Sequence, residues 1–141
     1  MVKAFFFMPV NYLSYIAILF WSNLFIIMSR FYGVTATIRA INWLGRMLPL
    51  KTKLLDTVSD RADILYQRFP FLFVARRQKC LIRGFLLFFF GKRMGVDICL
   101  RFGCQLENSL LKTHCWILEN NIIRYEVDEV VKEYVTLIDY T

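Results

Sequence analysis

The sequence has little of what breaks a chain into loops. Three prolines and six glycines occur in 141 residues. That excludes collagen-like and Pro/Gly-rich low-complexity chains, and the absence of a heptad run excludes a coiled-coil rod. Histidine occurs once, at His114, so imidazole chemistry has a single source. The four cysteines, Cys80, Cys99, Cys104 and Cys115, include no C-x-x-C pair. Neither the usual zinc spacing nor a dithiol redox motif is present. Charge is missing in two places. Residues 4–29 carry none, and residues 1–55 hold six basic residues and no acid.

Apolar residues are abundant instead. Hydrophobic residues make up 57% of the chain and aromatics 17%, enough burial to offset ordering entropy and exclude intrinsic disorder. The length suits one compact domain. Its organisation reads as an apolar, basic helical segment over residues 1–55, packed on or anchoring a core over residues 56–141. The mean hydropathy of +0.46 raises a membrane question, centred on Tyr12 to Met28. By composition that stretch suits a transmembrane span. Ser14, Ser22 and Asn23 interrupt it, and Tyr15, Ser22 and Ser29 form a thin polar stripe at helical spacing. A buried or interfacial helix and a true span both remain open. A signal peptide fits poorly, with one Lys before the apolar run and no small-x-small site after it.

The net charge of +7 is uneven. Residues 1–104 hold 15 basic and 4 acidic residues, a net +11, and residues 105–141 hold 3 basic and 7 acidic, a net −4. The cluster Arg76, Arg77, Lys79, Arg83, Lys92 and Arg93 suits an anionic partner or a solvated face. No nucleic-acid motif accompanies it, so nucleic acid is not expected.

Periodicity divides the chain. Helices are predicted over 11–29, over 34–49 ending at Pro49, from a start at Ser59-Asp60 to Pro70, and from Cys80 to Gly95. Strands are predicted over 96–104, 113–119, 122–127 and 134–139, with 105–112 as a connecting loop. A helical N-terminal half followed by strands predicts an α+β fold with an antiparallel sheet.

Cys80 stands at the junction of a basic stretch and an apolar helix. Helix-terminal N–H groups and the neighbouring Lys79 and Arg83 favour its thiolate, the nucleophilic form. With His114 on a downstream strand, the minimum for Cys–His nucleophilic catalysis is present. A zinc site built on Cys99, Cys104, His114 and Cys115 is opposed by strand parity, because His114 and Cys115 point to opposite faces. Neither metal nor cofactor is expected, and disulfides are not expected in a cytoplasmic setting.

A third group should orient the imidazole, and Glu119, Glu126 and Asp128 are on offer. Hairpin register discriminates among them. A two-residue loop at Asn120-Asn121 pairs His114 with Val127 and turns Glu126 and Asp128 to the other face. A three-residue loop over 119–121, with Asn121 left-handed, pairs His114 with Glu126. A loop over 120–122 would select Asp128 but asks β-branched Ile122 to be left-handed. Glu126 is the better placed, with Asp128 as the alternative. Glu119 falls at the turn.

These residues resemble a family. Cys80-Leu81, Arg83 and Leu86, then Gly95 and Phe102-Gly103, then His114, Trp116 and Asn120-Asn121 are similar in order and spacing to the transglutaminase-like cysteine peptidase of lasso-peptide biosynthesis, the leader peptidase in its stand-alone form. That pattern runs C-L-x-R-S-L-x-L, a basic run with Gly, an I-G-V strand, and H-A-W-V-E-x-D-G. The chain departs from it at Gly84 (Ser), Cys104 (Val), Cys115 (Ala) and Glu126 (Asp). The resemblance implies hydrolysis of one peptide bond in a ribosomally made precursor peptide. It implies Cys80 as nucleophile, His114 as base and acid, and Glu126 as orienting group. The Cys80 backbone N–H would be one oxyanion donor, and Trp116 would shield the pair or simply pack the core. The implied partners are a separate leader-recognition protein and an ATP-dependent lasso cyclase that joins the freed amine to a side-chain carboxylate. Peripheral membrane contact through residues 4–29 is a further expectation. A non-catalytic, membrane-associated accessory protein of a peptide maturation or export complex is the alternative, and acyl transfer to an amine is a third reading of the same triad.

Overall fold

The computed structural model describes residues 13–51, 55–74, 78–126 and 128–141. Its elements follow the polarity of the sequence. Helices α1 (Leu13–Tyr32), α2 (Val34–Met47), α3 (Leu55–Arg68) and α4 (Lys79–Arg93) come first, with a short 3-10 turn at Pro70–Leu72. Strands β1 (Ile98–Glu107), β2 (Leu110–Glu119) and β3 (Ile122–Arg124), helix α5 (Asp128–Lys132) and strand β4 (Val135–Tyr140) follow. The strands form one antiparallel sheet in the order β3-β2-β1-β4. The fold is therefore α+β, a helical half followed by an antiparallel sheet.

Helix α4 is apolar nearly all round, and that dictates its place at the centre. Ile82 and every residue from Gly84 to Gly91 are buried. Helices α1, α2 and α3 pack against it, and so do β1 and β2. Trp21 and Phe25 of α1 meet Phe89 of α4 at ring-centroid distances of 4.6 and 5.2 Å. Arg93, in the last turn, is buried, and its Nε donates to the Leu48 carbonyl at 2.6 Å. Ile18, Phe25 and Ile41 share one buried cluster with Phe85, Leu100 and Ile117.

Residues 15–32 are long and apolar enough to cross a membrane. In the fold, Ile18, Ser22, Phe25 and Ile26 of α1 are buried, against neighbours in α2, α3 and α4. Ser22, from the expected polar stripe, faces inward and donates to the Ile18 carbonyl one turn back. The outward stripe is Ile16, Phe20, Ile27 and Phe31, all exposed. Residues 4–12 of the apolar run lie outside the described residues.

Three expectations need correction. Residues 105–112 are a hairpin rather than a loop, with Glu107 paired to Leu110 around Asn108-Ser109, both at positive φ. Leu106, Leu110 and Leu111 are exposed there, so no buried face marked these strand ends. Helix α3 is already formed at Leu55, and Ser59 is a buried mid-helix residue whose Oγ accepts from Arg83 at 3.2 Å. The predicted strand 122–127 stops at Arg124, and α5 follows.

Candidate active site

Strand β2 alternates its side chains about the sheet. Cys115 and Ile117 lie in the main core with α4, whereas Trp116 and Leu118 form a second cluster with Val131 of α5. His114 shares the Trp116 face. Its ring stacks on Trp116 at 6.0 Å and meets Tyr134 at 5.4 Å. Gly103 opposite His114 makes room for the indole, since a Cβ there would lie 2.7 Å from the Trp116 ring.

Cys80 sits in the first turn of α4, behind Gln78. Residues so placed have backbone N–H groups with no partner inside the helix. His114 and Cys115 point to opposite faces of β2, yet both act on the Cys80 thiol and hold it below its usual value. The end of β3 explains this. The last β2–β3 pair is Ile117 with Arg124, so the β2 edge at Cys115 is open. The Cys115 backbone N–H points out of that edge, and it too lowers the Cys80 thiol.

The third group arrives by a route other than the expected one. The hairpin has a two-residue loop, Asn120-Asn121 at φ 51° and 63°, with Glu119 paired to Ile122. Two left-handed residues match the twist of the flanking strands. In that register a continued strand would have carried Glu126 to the wrong face. The strand does not continue. Tyr125 is left-handed at φ 64°, and its hydroxyl donates to Asp56 of α3 at 2.8 Å. After this reversal Glu126 Oε1 lies 3.0 Å from His114 Nε2. Asp128 is exposed in the first turn of α5, and Glu119 pairs with Arg124 at 3.2 Å.

The electrostatics favour a thiolate–imidazolium pair. The hydrogen bond from the Cys115 thiol holds the Cys80 thiol down, to about 4, against the upward push of burial, with His114 adding to the lowering. His114 is raised to about 9 by its hydrogen bonds to Cys80 and Glu126, against burial. With Nε2 on Glu126, Nδ1 is the ring nitrogen left for sulfur. Cys115 itself is pushed well up by the Cys80 sulfur and by burial. A negative sulfur beside a protonated imidazole is an attacking group and a proton donor in one contact.

The basic cluster behaves differently from its expectation. Lys79 and Arg83 both reach Asp63, at 3.7 and 3.2 Å, and neither is a cause of the Cys80 shift. Lys92 lies over the Phe88 ring, and Arg76 and Arg77 lie outside the described residues. Cys99 packs in the Trp116 cluster, on the face away from Cys115.

Sequence reasoning overlooked Cys115 and Tyr134 as neighbours of the pair. The signal for Cys115 was available. The alternation that separates it from His114 turns it toward the helix carrying Cys80. No protein-family model, curated protein or solved structure matches this chain.

Proposed function

We propose that the chain is a cysteine peptidase with a transglutaminase-like core that removes the leader from a lasso-peptide precursor. One observation carries this reading: Glu126 is hydrogen-bonded to His114, and His114 and the Cys80 thiol at a helix start shift each other toward the charged pair. The Cys80 thiolate attacks the scissile carbonyl carbon. The oxyanion is met by the Cys80 backbone N–H. His114 protonates the departing amine, leaving a thioester. Water, deprotonated by His114, then hydrolyses the thioester and restores the thiolate. One peptide bond is broken and one water consumed. Glu126 holds the ring and stabilises the imidazolium. The precursor would be presented by a separate leader-recognition protein, and the freed amine would pass to an ATP-dependent cyclase.

The test is incubation of the full chain with a candidate precursor and leader-binding protein drawn from its neighbouring genes, read by fragment masses. Cleavage at one bond by the wild type and none by a folded Cys80→Ala variant is the expected result. Full cleavage by Cys80→Ala overturns the proposal.

A second reading concerns location. The exposed stripe Ile16, Phe20, Ile27 and Phe31, with Arg30 beside it, favours contact with an anionic membrane surface. Co-flotation with phosphatidylglycerol vesicles but not phosphatidylcholine vesicles supports it. If the chain floats but never cleaves, the non-catalytic accessory role replaces the peptidase.

A further inference from the structure

Two of the four thiols in this chain line one cleft. Cys115 is buried in the main core, and its Sγ lies 3.2 Å from where a Cβ on Gly84 would stand, one helical turn after Cys80. Cys80, Gly84 and Cys115 line the same cleft, and the Cys115 thiol acts to hold the Cys80 thiol down. Their exposures differ. Cys80 is partly exposed, whereas Cys115 is 3% exposed. In peptide hydrolysis the Cys115 thiol would only help hold Cys80 as thiolate, and its own sulfur would take no part.

We propose that Cys80 and Cys115 form a reversible redox pair, in which a hydroperoxide oxidises Cys80 and Cys115 resolves it as a disulfide. The Cys80 thiolate attacks one peroxide oxygen. The O–O bond breaks, Cys80 becomes a sulfenic acid, and the alkoxide or hydroxide takes a proton from solvent. The Cys115 sulfur then attacks Cys80, the S–O bond breaks, and the hydroxide leaves as water with the Cys115 proton. Two thiols give up two electrons, and the hydroperoxide is reduced to an alcohol, or to water, and a water. Oxidation selects Cys80 because attack on peroxide needs an accessible thiolate. Resolution selects Cys115 because its sulfur lies in the same cleft, beside the helical turn that carries Cys80. The disulfide would protect Cys80 from the irreversible sulfinic and sulfonic steps. That it also stops peptide cleavage rests on the function proposed above; the thiol chemistry does not.

The test is intact-protein mass and non-reducing peptide mapping after a few equivalents of hydrogen peroxide. The wild type should lose two hydrogen masses, yield a Cys80–Cys115 linked peptide, and return to its starting mass with dithiothreitol. Cys115→Ala should instead gain two or three oxygens on Cys80, irreversibly. A Cys99→Ser/Cys104→Ser double variant should still form the linkage, which keeps the test decisive if Cys115→Ala does not fold. Gain of oxygens on wild-type Cys80 without the mass loss, or a disulfide through Cys99 or Cys104, overturns the proposal. None of these readouts depends on peptidase activity.

Discussion

His114 Nε2 lies 3.0 Å from Glu126 Oε1 because the strand that leads to Glu126 ends two residues before it. A left-handed tyrosine, tied to α3 through its hydroxyl, makes the reversal. Removing the carboxylate should therefore weaken the imidazolium and loosen the ring. Glu126→Ala should lower kcat/KM for precursor cleavage by about 10²-fold, and Asp128→Ala should leave it unchanged. A larger loss with Asp128→Ala would show the wrong carboxylate was assigned.

If the chain cleaves as proposed, the two shifted groups should set the pH range of cleavage. Cys80 is held down to about 4 and His114 up to about 9. As pH falls through the Cys80 value the thiolate is protonated and attack is lost. As pH rises through the His114 value the imidazolium is lost, and with it the acid for the leaving amine. The rate profile should be a bell between these limits, which belong to the coupled pair. Since the Cys115 hydrogen bond is the largest cause of the lowering, Cys115→Ala should move the acid limb upward. An unmoved limb would remove that cause.

Gly84 and Cys115 depart from the leader-peptidase pattern at two positions that touch. The pattern's Ser and Ala would place the bulk on the helix, whereas this chain places it on the strand. A Cβ at residue 84 would meet Leu100 at 2.9 Å and Cys115 Sγ at 3.2 Å. Gly84→Ser alone should cost about 1–3 kcal/mol by overpacking. Adding Cys115→Ala should recover much of it, as a coupling seen in chemical denaturation. Strict additivity would mean the two sites do not share this space.

The legible part of the fold was that set by pattern. The long apolar runs around Phe25 and Phe88 and the alternation in β2 fix the α+β order and the central place of α4. The hairpin at 108–109 was hidden because its leucines face solvent. The three-residue loop that would pair Glu126 with His114 does not form, since Glu119 pairs with Ile122. The residue comes to His114 anyway, by a backbone reversal at Tyr125 that depends on Asp56 of α3. That contact joins residues 69 apart in the chain, and local pattern carries no trace of it. The charges beside Cys80 misled for a related reason, since Asp63 draws Lys79 and Arg83 away.

On the proposed function, Cys80 is a thiolate nucleophile activated across the open edge of β2. The most direct test of this is the rate of iodoacetamide alkylation of each cysteine at pH 6, mapped by peptide mass in the wild type and His114→Ala. Cys80 should react at least about 10²-fold faster than Cys99 and Cys104, because an ordinary thiol with a pKa of about 8.5 is almost wholly protonated there. His114→Ala should slow Cys80 severalfold or more and leave the others unchanged. Equal, slow alkylation of Cys80, Cys99 and Cys104 at pH 6 would show that Cys80 is an ordinary thiol and no activated nucleophile.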